Sequence, residues 1–473
     1  MTSSNFPTRL ADLSLNDASI HPSFYANIRS LRKSVLSVPH RLASILADAA
    51  FAKQVSEHYN LPLVANERCG SWYIDPGDKV GSAYFKSTDG HHGQWSFSLR
   101  RLNLQLLPLL AKHGGAVVVD STRRGKNLPD AFSKTVPIWV SVINRTLFPE
   151  IPDAHILQLP PAPNDLGRSE ISQIESRLDM FANSLRELQL DFVALRNELV
   201  HPIRLQWAIN GSFDVDVDVG PDAEVSTMFP KEAHQLVLCS ASRRVHGAEI
   251  SEGGYIQGAG DDSEGWSYGL TAQVFWRHRQ LLMSTSEEEL PGLVGKLMED
   301  DQGISRNKDE GTVITPTDSL YICAGTVVGN EDDTYDLVID CNGDAESNAV
   351  NPETIGLACR LGKLGSKDLR EKLPMVAELV KDRLLKDDHA RILITCTTGK
   401  DLSVGVAVAL LCLYYDDTGH VKDNLRTGKP EKVDKLLVKQ RLAWISSAIP
   451  GANPSRSTLQ AVNSFLMQRP EGF

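Results

Sequence analysis

The sequence predicts an α/β protein of two domains, and three observations carry that reading. The first is Gly114–Lys126 (GGAVVVDSTRRGK), where Val117, Val118 and Val119 are bounded by glycines and followed by a polar, cationic loop. Such a β-branched run suits a short strand buried on both faces. The second is Ile392–Tyr415, where an apolar strand-like run enters a glycine-bearing loop that opens a long apolar stretch of helical length. The third is length. A chain of 473 residues exceeds one ordinary core, so two or three domains are expected. The reading is a loosely ordered N-terminus over 1–20, an N-terminal α/β (α+β) domain over 21–300 and a C-terminal α/β domain over 311–473. The charged stretch Glu299–Gly311 separates the domains.

Composition narrows the class. Hydrophobic residues at 41% and charged residues at 23% describe a soluble globular protein. No apolar run approaches the roughly 18 residues of a membrane span, and no membrane partner is expected. The N-terminus lacks the charged head and apolar core of a secretory signal. The seven cysteines are odd in number, scattered, and include no CxxC pair. That favours a reduced cytoplasmic or nuclear protein without structural zinc. A net charge of −11 argues against non-specific nucleic-acid coating but allows a local basic patch.

Taken in order, Phe24–Tyr59 has helical spacing, with Pro39 separating two helices. Asn66, Glu67, Arg68, Cys69 and Gly70 then interrupt an apolar run, which suits a site-lining turn or a plain strand connection. A strand at Ala83–Lys86 leads into Lys86, Ser87, Thr88, Asp89, Gly90, His91 and His92, with a helix expected from Trp95 to Leu107. Loop amides and a helix N-terminus would favour an anion there. Asp89 and His91 are candidate proton acceptors, or ordinary hydrogen-bonding residues. After the valine strand, Ser121, Thr122, Arg123, Arg124, Gly125 and Lys126 offer hydroxyls, cations and close backbone approach to a phosphorylated ligand. Asp120 is a candidate for catalysis or for magnesium, held directly or through water. A solvated surface turn is the competing reading.

Ala131–Trp139 reads as a short helix before Val140–Asn144, and Ser169–Leu199 as a long helical stretch ended by His201-Pro202. Asp214–Asp218 alternates as DVDVD, an edge-strand pattern. Val237–Val245 is another strand, with Arg243 and Arg244 behind it. Three strand-to-polar-loop units thus end near 90, 122 and 243, the arrangement expected of loops converging at one sheet edge. Tyr255–Thr271 (YIQGAGDDSEGWSYGLT) brings Asp261 and Asp262 after glycines, as magnesium ligands through water or as an exposed turn. A short helix is expected over Ser284–Met298.

In the C-terminal half, strands are expected at Leu320–Ala324, Leu337–Cys341 and Arg391–Thr395, with a helix over Lys367–Leu385. The loop after the last strand resembles the phosphate loop of dual-specificity phosphatases: Cys, five residues, Arg, then Ser or Thr. Cys396 takes the nucleophile position, Gly399 the loop glycine and Ser403 the hydroxyl, but Leu402 stands where that family has arginine. Thr395 replaces the usual histidine. A leucine cannot clamp two phosphoryl oxygens, and one lost transition-state contact typically costs on the order of a hundredfold. The amides of Cys396, Thr397, Thr398, Gly399, Lys400, Asp401 and Ser403 still favour an anion. The expectation is a phosphatase-like domain that holds phosphate without hydrolysing it, or an inert loop. Lys435, Lys439, Arg441 and Arg456 form a candidate basic rim for RNA phosphates, or a solvated face.

Tyr84–Asn103 (YFKSTDGHHGQWSFSLRRLN) and Gly114–Trp139 closely resemble the initiator tRNA phosphoribosyltransferases of fungi and plants. Val64–Pro76, Tyr255–Thr271 and Asn453–Met467 extend the resemblance over nearly the whole chain. It implies transfer of phosphoribosyl from phosphoribosyl pyrophosphate to the 2′-hydroxyl of a T-stem purine of initiator methionine tRNA. Pyrophosphate leaves, magnesium is expected, and the tRNA is reserved for initiation. A cytoplasmic monomer is expected. The competing class is a catalytically dead phosphatase-like module that binds phosphorylated RNA or protein.

Overall fold

The computed structural model describes residues 37–163, 166–188, 190–213, 230, 232–245, 254–305, 311–325, 335–343, 353–360, 362–426, 433–449 and 451–467. The DVDVD segment and residues 24–36 lie outside these, as do residues 1–20.

Helix α1 (Val38–Tyr59) starts on the Ser37 cap, and Pro39 sits in its first turn instead of dividing two helices. Proline is tolerated there because that N–H has no intrahelical partner. Strands β1 (Leu63–Asn66) and β2 (Lys79–Ala83) follow. The strand expected at Ala83–Lys86 therefore ends where it was expected to begin. The helix expected from Trp95 does not form. Residues 91–103 are turns and extended backbone, and α2 spans Leu106–His113. Phe97, Arg100 and Leu104 do recur at helical spacing, but this segment packs as a strap, with Trp95, Leu102 and Leu104 in the core.

Strand β3 (Gly115–Asp120) is buried at every position. Its alternation divides two cores, with Ala116 and Val118 on one side and Val117 and Val119 on the other. A π-turn at Ala131–Thr135 runs directly into α3 (Val136–Leu147). The expected long helix is two, α4 (Arg168–Arg186) and α5 (Phe192–Leu199). Beyond His201-Pro202 the chain forms β4 (Ile203–Ile209), a strand the sequence reading missed, then β5 (His234–Ser240). These strands make one parallel sheet of order β2-β1-β3-β5-β4. Two helices, α6 (Ala272–Ser284) and α7 (Leu290–Ser305), replace the single one expected at Ser284–Met298.

The second sheet has β6 (Thr312–Val313), β7 (Leu320–Ala324), β8 (Leu337–Asp340) and β9 (Glu353–Gly356). Helix α8 (Lys363–Lys386) leads to β10 (Ile392–Cys396), and the apolar α9 (Leu402–Tyr414) follows. Its order is β6-β7-β10-β8-β9, parallel except for β6. The chain closes with α10 (Lys435–Ala448) and α11 (Arg456–Leu466). Helix α10 belongs to both domains. Val438, Leu442 and Ile445 enter the second core, while Ala443 joins the first and Leu436 packs on it. No helix among the described residues is long and apolar enough to cross a membrane.

Candidate functional site

Because the first sheet is parallel, the loops after β1, β2, β3 and β5 all leave from its carboxyl edge, where open α/β sheets place ligands. The edge is built on Asp120, the last residue of β3, which is fully buried. Arg68, from the turn after β1, donates to it from Nε at 3.2 Å and from Nη2 at 2.8 Å. Asn66 Nδ2 donates at 2.8 Å, Cys69 Sγ at 3.0 Å and the Ser121 amide at 2.7 Å. Arg68 Nη1 also reaches Asp261 at 3.0 Å, and Ser121 Oγ donates to Asp261 at 2.6 Å. One guanidinium thus neutralises two buried carboxylates. Burial alone would lower the Arg68 pKa, but the charges of Asp120 and Asp261, with Cys69 and the Asp120 hydrogen bond, together outweigh it and hold the pKa above its ordinary value.

This geometry commits the aspartates to contacts within the protein. Asp120 and Asp261 spend their oxygens on Arg68, Asn66, Cys69 and Ser121, and Asp262 pairs with Arg123. No group of three potential metal-ligating side chains exists among the described residues. A direct magnesium bond to Asp120 or Asp261 would compete with these hydrogen bonds, whereas binding through water would not, and Asp120 itself positions Arg68, Asn66 and the Ser121 amide.

The Ser121–Lys126 loop is tied down from both sides. Thr122 N donates to Ser242 Oγ at 3.1 Å, and Ser242 Oγ returns a bond to Thr122 O at 2.9 Å. Gln257 accepts from Gly125 N at 3.1 Å and Val245 N at 3.2 Å and donates to Lys126 O at 2.7 Å. It joins the loops after β3 and β5, a role that the YIQGAG motif does not reveal in sequence. Gly258, at φ +65°, leaves no room for a side chain, since a Cβ would stand 2.8 Å from Thr122 O. Arg124 takes a left-handed backbone at φ 59°. Arg243 and Arg244 are exposed, with the Arg243 guanidinium stacked 4.9 Å over Tyr255.

The loop after β2 differs from expectation. Ser87–Gly90 is a single 3₁₀ turn with no helix behind it, so no helix dipole serves Lys86, Ser87 or Thr88. The loop is instead fastened to the β3 loop through Asp130, a residue the sequence reading passed over. Asp130 lies 3.5 Å from His91, 3.1 Å from Lys126 and 3.7 Å from Lys134. His91 is exposed, with its Nε2 facing the Asp130 carboxylate. Asp89 is half-buried and its carboxylate is neither hydrogen-bonded nor ion-paired among the described residues.

In the second domain, Cys396 ends β10 with its Sγ 3.1 Å from Ser403 Oγ. Burial would raise its pKa, but the Ser403 hydroxyl and the amides of Ser403, Asp401 and Thr398 hold it below the ordinary thiol value. Loop amides therefore converge on the sulfur, as they would on an anion. Thr397 donates to Asn342 at 2.9 Å from both N and Oγ1. Lys400 is exposed. The Asp401 side chain, unlike its amide, is committed elsewhere. Its Oδ1 accepts from Ser455 N at 2.8 Å and Thr458 Oγ1 at 2.6 Å, anchoring the start of α11. Arg441 is likewise no rim residue, being 2% exposed and paired with Asp417 at 2.7 Å. The two domains meet beside this loop. Arg101 Nη2 donates to Asn453 Oδ1 at 2.6 Å, and Asn453 N donates to Lys400 O at 2.9 Å.

Residues 31–299 match the family model described as the Rit1 N-terminal domain, and residues 353–466 the one described as the Rit1 DUSP-like domain. An uncharacterized protein of Schizosaccharomyces pombe is 34% identical, over 90% of this chain and 94% of its own. The tRNA A64-2′-O-ribosylphosphate transferase of Saccharomyces cerevisiae is 32% identical, over 96% of this chain and 97% of its own. A chloroplastic phosphoglucan phosphatase of Arabidopsis thaliana is 29% identical over 24% of this chain and 23% of its own. No solved structure matches.

Proposed function

The chain belongs to the Rit1 family, and from that premise we infer that it is a tRNA 2′-O-ribosylphosphate transferase. It is a pentosyltransferase that moves ribosylphosphate onto the 2′-oxygen of nucleotide 64 of initiator tRNA. The observation that supports this best is the 32% identity to the yeast enzyme over 96% of this chain and 97% of that enzyme. The donor is phosphoribosyl pyrophosphate, and the tRNA is initiator methionine tRNA. The cations Arg123, Arg124 and Lys126, with Arg243 and Arg244 beside them, suit the donor's phosphates, while Ser121 and Thr122 are buried beneath them. The Cys396–Ser403 loop suits a second phosphate, held without hydrolysis because Leu402 cannot replace an arginine. No step is assigned to magnesium, and its place in the reaction is tested with a chelator. The protein acts in the cytoplasm as a monomer.

The test is direct. Purified protein, phosphoribosyl pyrophosphate and magnesium label initiator tRNA and leave elongator methionine tRNA largely unlabelled. Equal labelling of both, or of neither, overturns the reading.

A further inference from the structure

Where the two domains meet there is a cleft of about 440 Å³. Its first wall is the strap after the β2 loop, from Asp89 to Arg100, and its second wall is α10 with α11. Lys435 and Lys439, one helical turn apart and both exposed, stand on the α10 side, with Arg100 opposite. Leu442 and Leu459 form an apolar floor. The walls are fixed to one another. Ser446 Oγ donates to Arg100 O at 2.9 Å, and Arg101 bonds Asn453. The volume falls in the range of about 300–1,000 Å³ usual for ligand pockets. Three cations gathered on a chain of net charge −11 mark the cleft as attractive to polyanions.

Asp89 lines this cleft, and its carboxylate has no fixed partner among the described residues. Burial raises its pKa, with Arg101, Lys86, Arg100 and His91 opposing the rise. A carboxylate raised toward neutrality is a better proton acceptor than a free one. Its loop is joined through Asp130 to the Ser121–Lys126 loop, so the cleft opens beside the proposed donor site.

We propose that this interdomain cleft is the acceptor site, taking one ribonucleotide of an RNA stem with its backbone phosphates on Lys435, Lys439 and Arg100 and its ribose at Asp89. The inference rests on the transferase reading and adds to it the place of the acceptor and the identity of the base. Asp89 removes the proton of the ribose 2′-hydroxyl. The 2′-oxygen then forms a bond to the anomeric carbon of the donor ribose phosphate. The bond from that carbon to pyrophosphate breaks, and pyrophosphate leaves with the electron pair.

Binding and turnover are measured separately on the full chain. Unmodified initiator tRNA transcript is titrated by fluorescence anisotropy against wild type and Lys435→Glu/Lys439→Glu. The double variant weakens binding at least tenfold and lowers the slope of log affinity against log salt by about two phosphate contacts. Its melting temperature stays near wild type, since both side chains are exposed. Asp89→Asn lowers kcat by about a hundredfold or more, while tRNA affinity and donor affinity stay within about twofold. Unchanged tRNA affinity and salt slope in the double variant overturns the acceptor site. Near-normal kcat in both Asp89→Asn and Asp89→Ala overturns the base. Failure of the transferase reading is distinguishable, because wild type then labels neither tRNA, or both equally, whatever the variants bind.

Discussion

Arg68 Nη2 lies 2.8 Å from Asp120 Oδ1, joining the turn after β1 to the end of β3 at the centre of the site. The Asp120 side chain is fully buried, so this pair is sealed against solvent on the carboxylate side. Breaking one side of a buried pair leaves an uncompensated charge and typically costs about 3–5 kcal/mol. Arg68→Met therefore lowers the melting temperature and abolishes turnover together. Thermal unfolding checks the first and the tRNA labelling assay the second.

Asp120→Asn separates positioning from metal binding. It removes the charge that Arg68 answers but keeps an oxygen for the Ser121 amide. Turnover falls more than tenfold, and raising magnesium does not restore it. Rescue by magnesium would show that the carboxylate binds the ion after all.

The phosphatase-like loop separates by residue. Cys396→Ser keeps most transferase activity, because oxygen fills similar space and the amides of Asp401 and Ser403 do the holding. Wild type does not hydrolyse an aryl phosphate, Leu402 being where arginine is needed. Aryl phosphatase activity lost in Cys396→Ser would make the sulfur a nucleophile.

Gly399 and Asp401 act on stability. Gly399 sits at φ +64°, and a Cβ there stands 3.1 Å from Ala324 N. Gly399→Ala costs about 1–3 kcal/mol from the backbone conformation alone. Asp401→Ala frees Ser455 N and Thr458 Oγ1 from their shared acceptor, at about 1–3 kcal/mol. Denaturant midpoints measure both, and midpoints equal to wild type contradict the described loop.

Asp48 sets a pH dependence. It is 1% exposed, accepts from Tyr255 Oη at 2.7 Å on Oδ1, and has no partner on Oδ2 among the described residues. Burial holds its pKa well above the ordinary carboxylate value, with Tyr255 and Arg243 opposing. As pH rises past the unfolded value, the unfolded chain releases this proton first. Folding stability then declines until the folded group ionises. Asp48→Asn keeps an acceptor for Tyr255 without the charge penalty. Its melting-temperature gain is small near pH 4 and grows toward pH 7, and a gain that shrinks over that range refutes the assignment.

The sequence by itself determined the elements whose signal is local. Three consecutive valines between glycines specify a doubly buried strand, since only side chains on alternate faces can enter two cores. The absence of arginine at Leu402 is likewise visible without coordinates. Tertiary structure decided which charges meet. Asp120 finds Arg68 across 52 positions and Asp261 finds it across 193, distances over which spacing carries no information. Periodicity failed at Trp95–Leu107 because the strap satisfies the same burial without helical backbone. It could not show that α10 serves two cores, because a helix buried on several sides reads in sequence like a helix buried on one. The interdomain cleft forms where that helix and α11 meet the strap of the first domain.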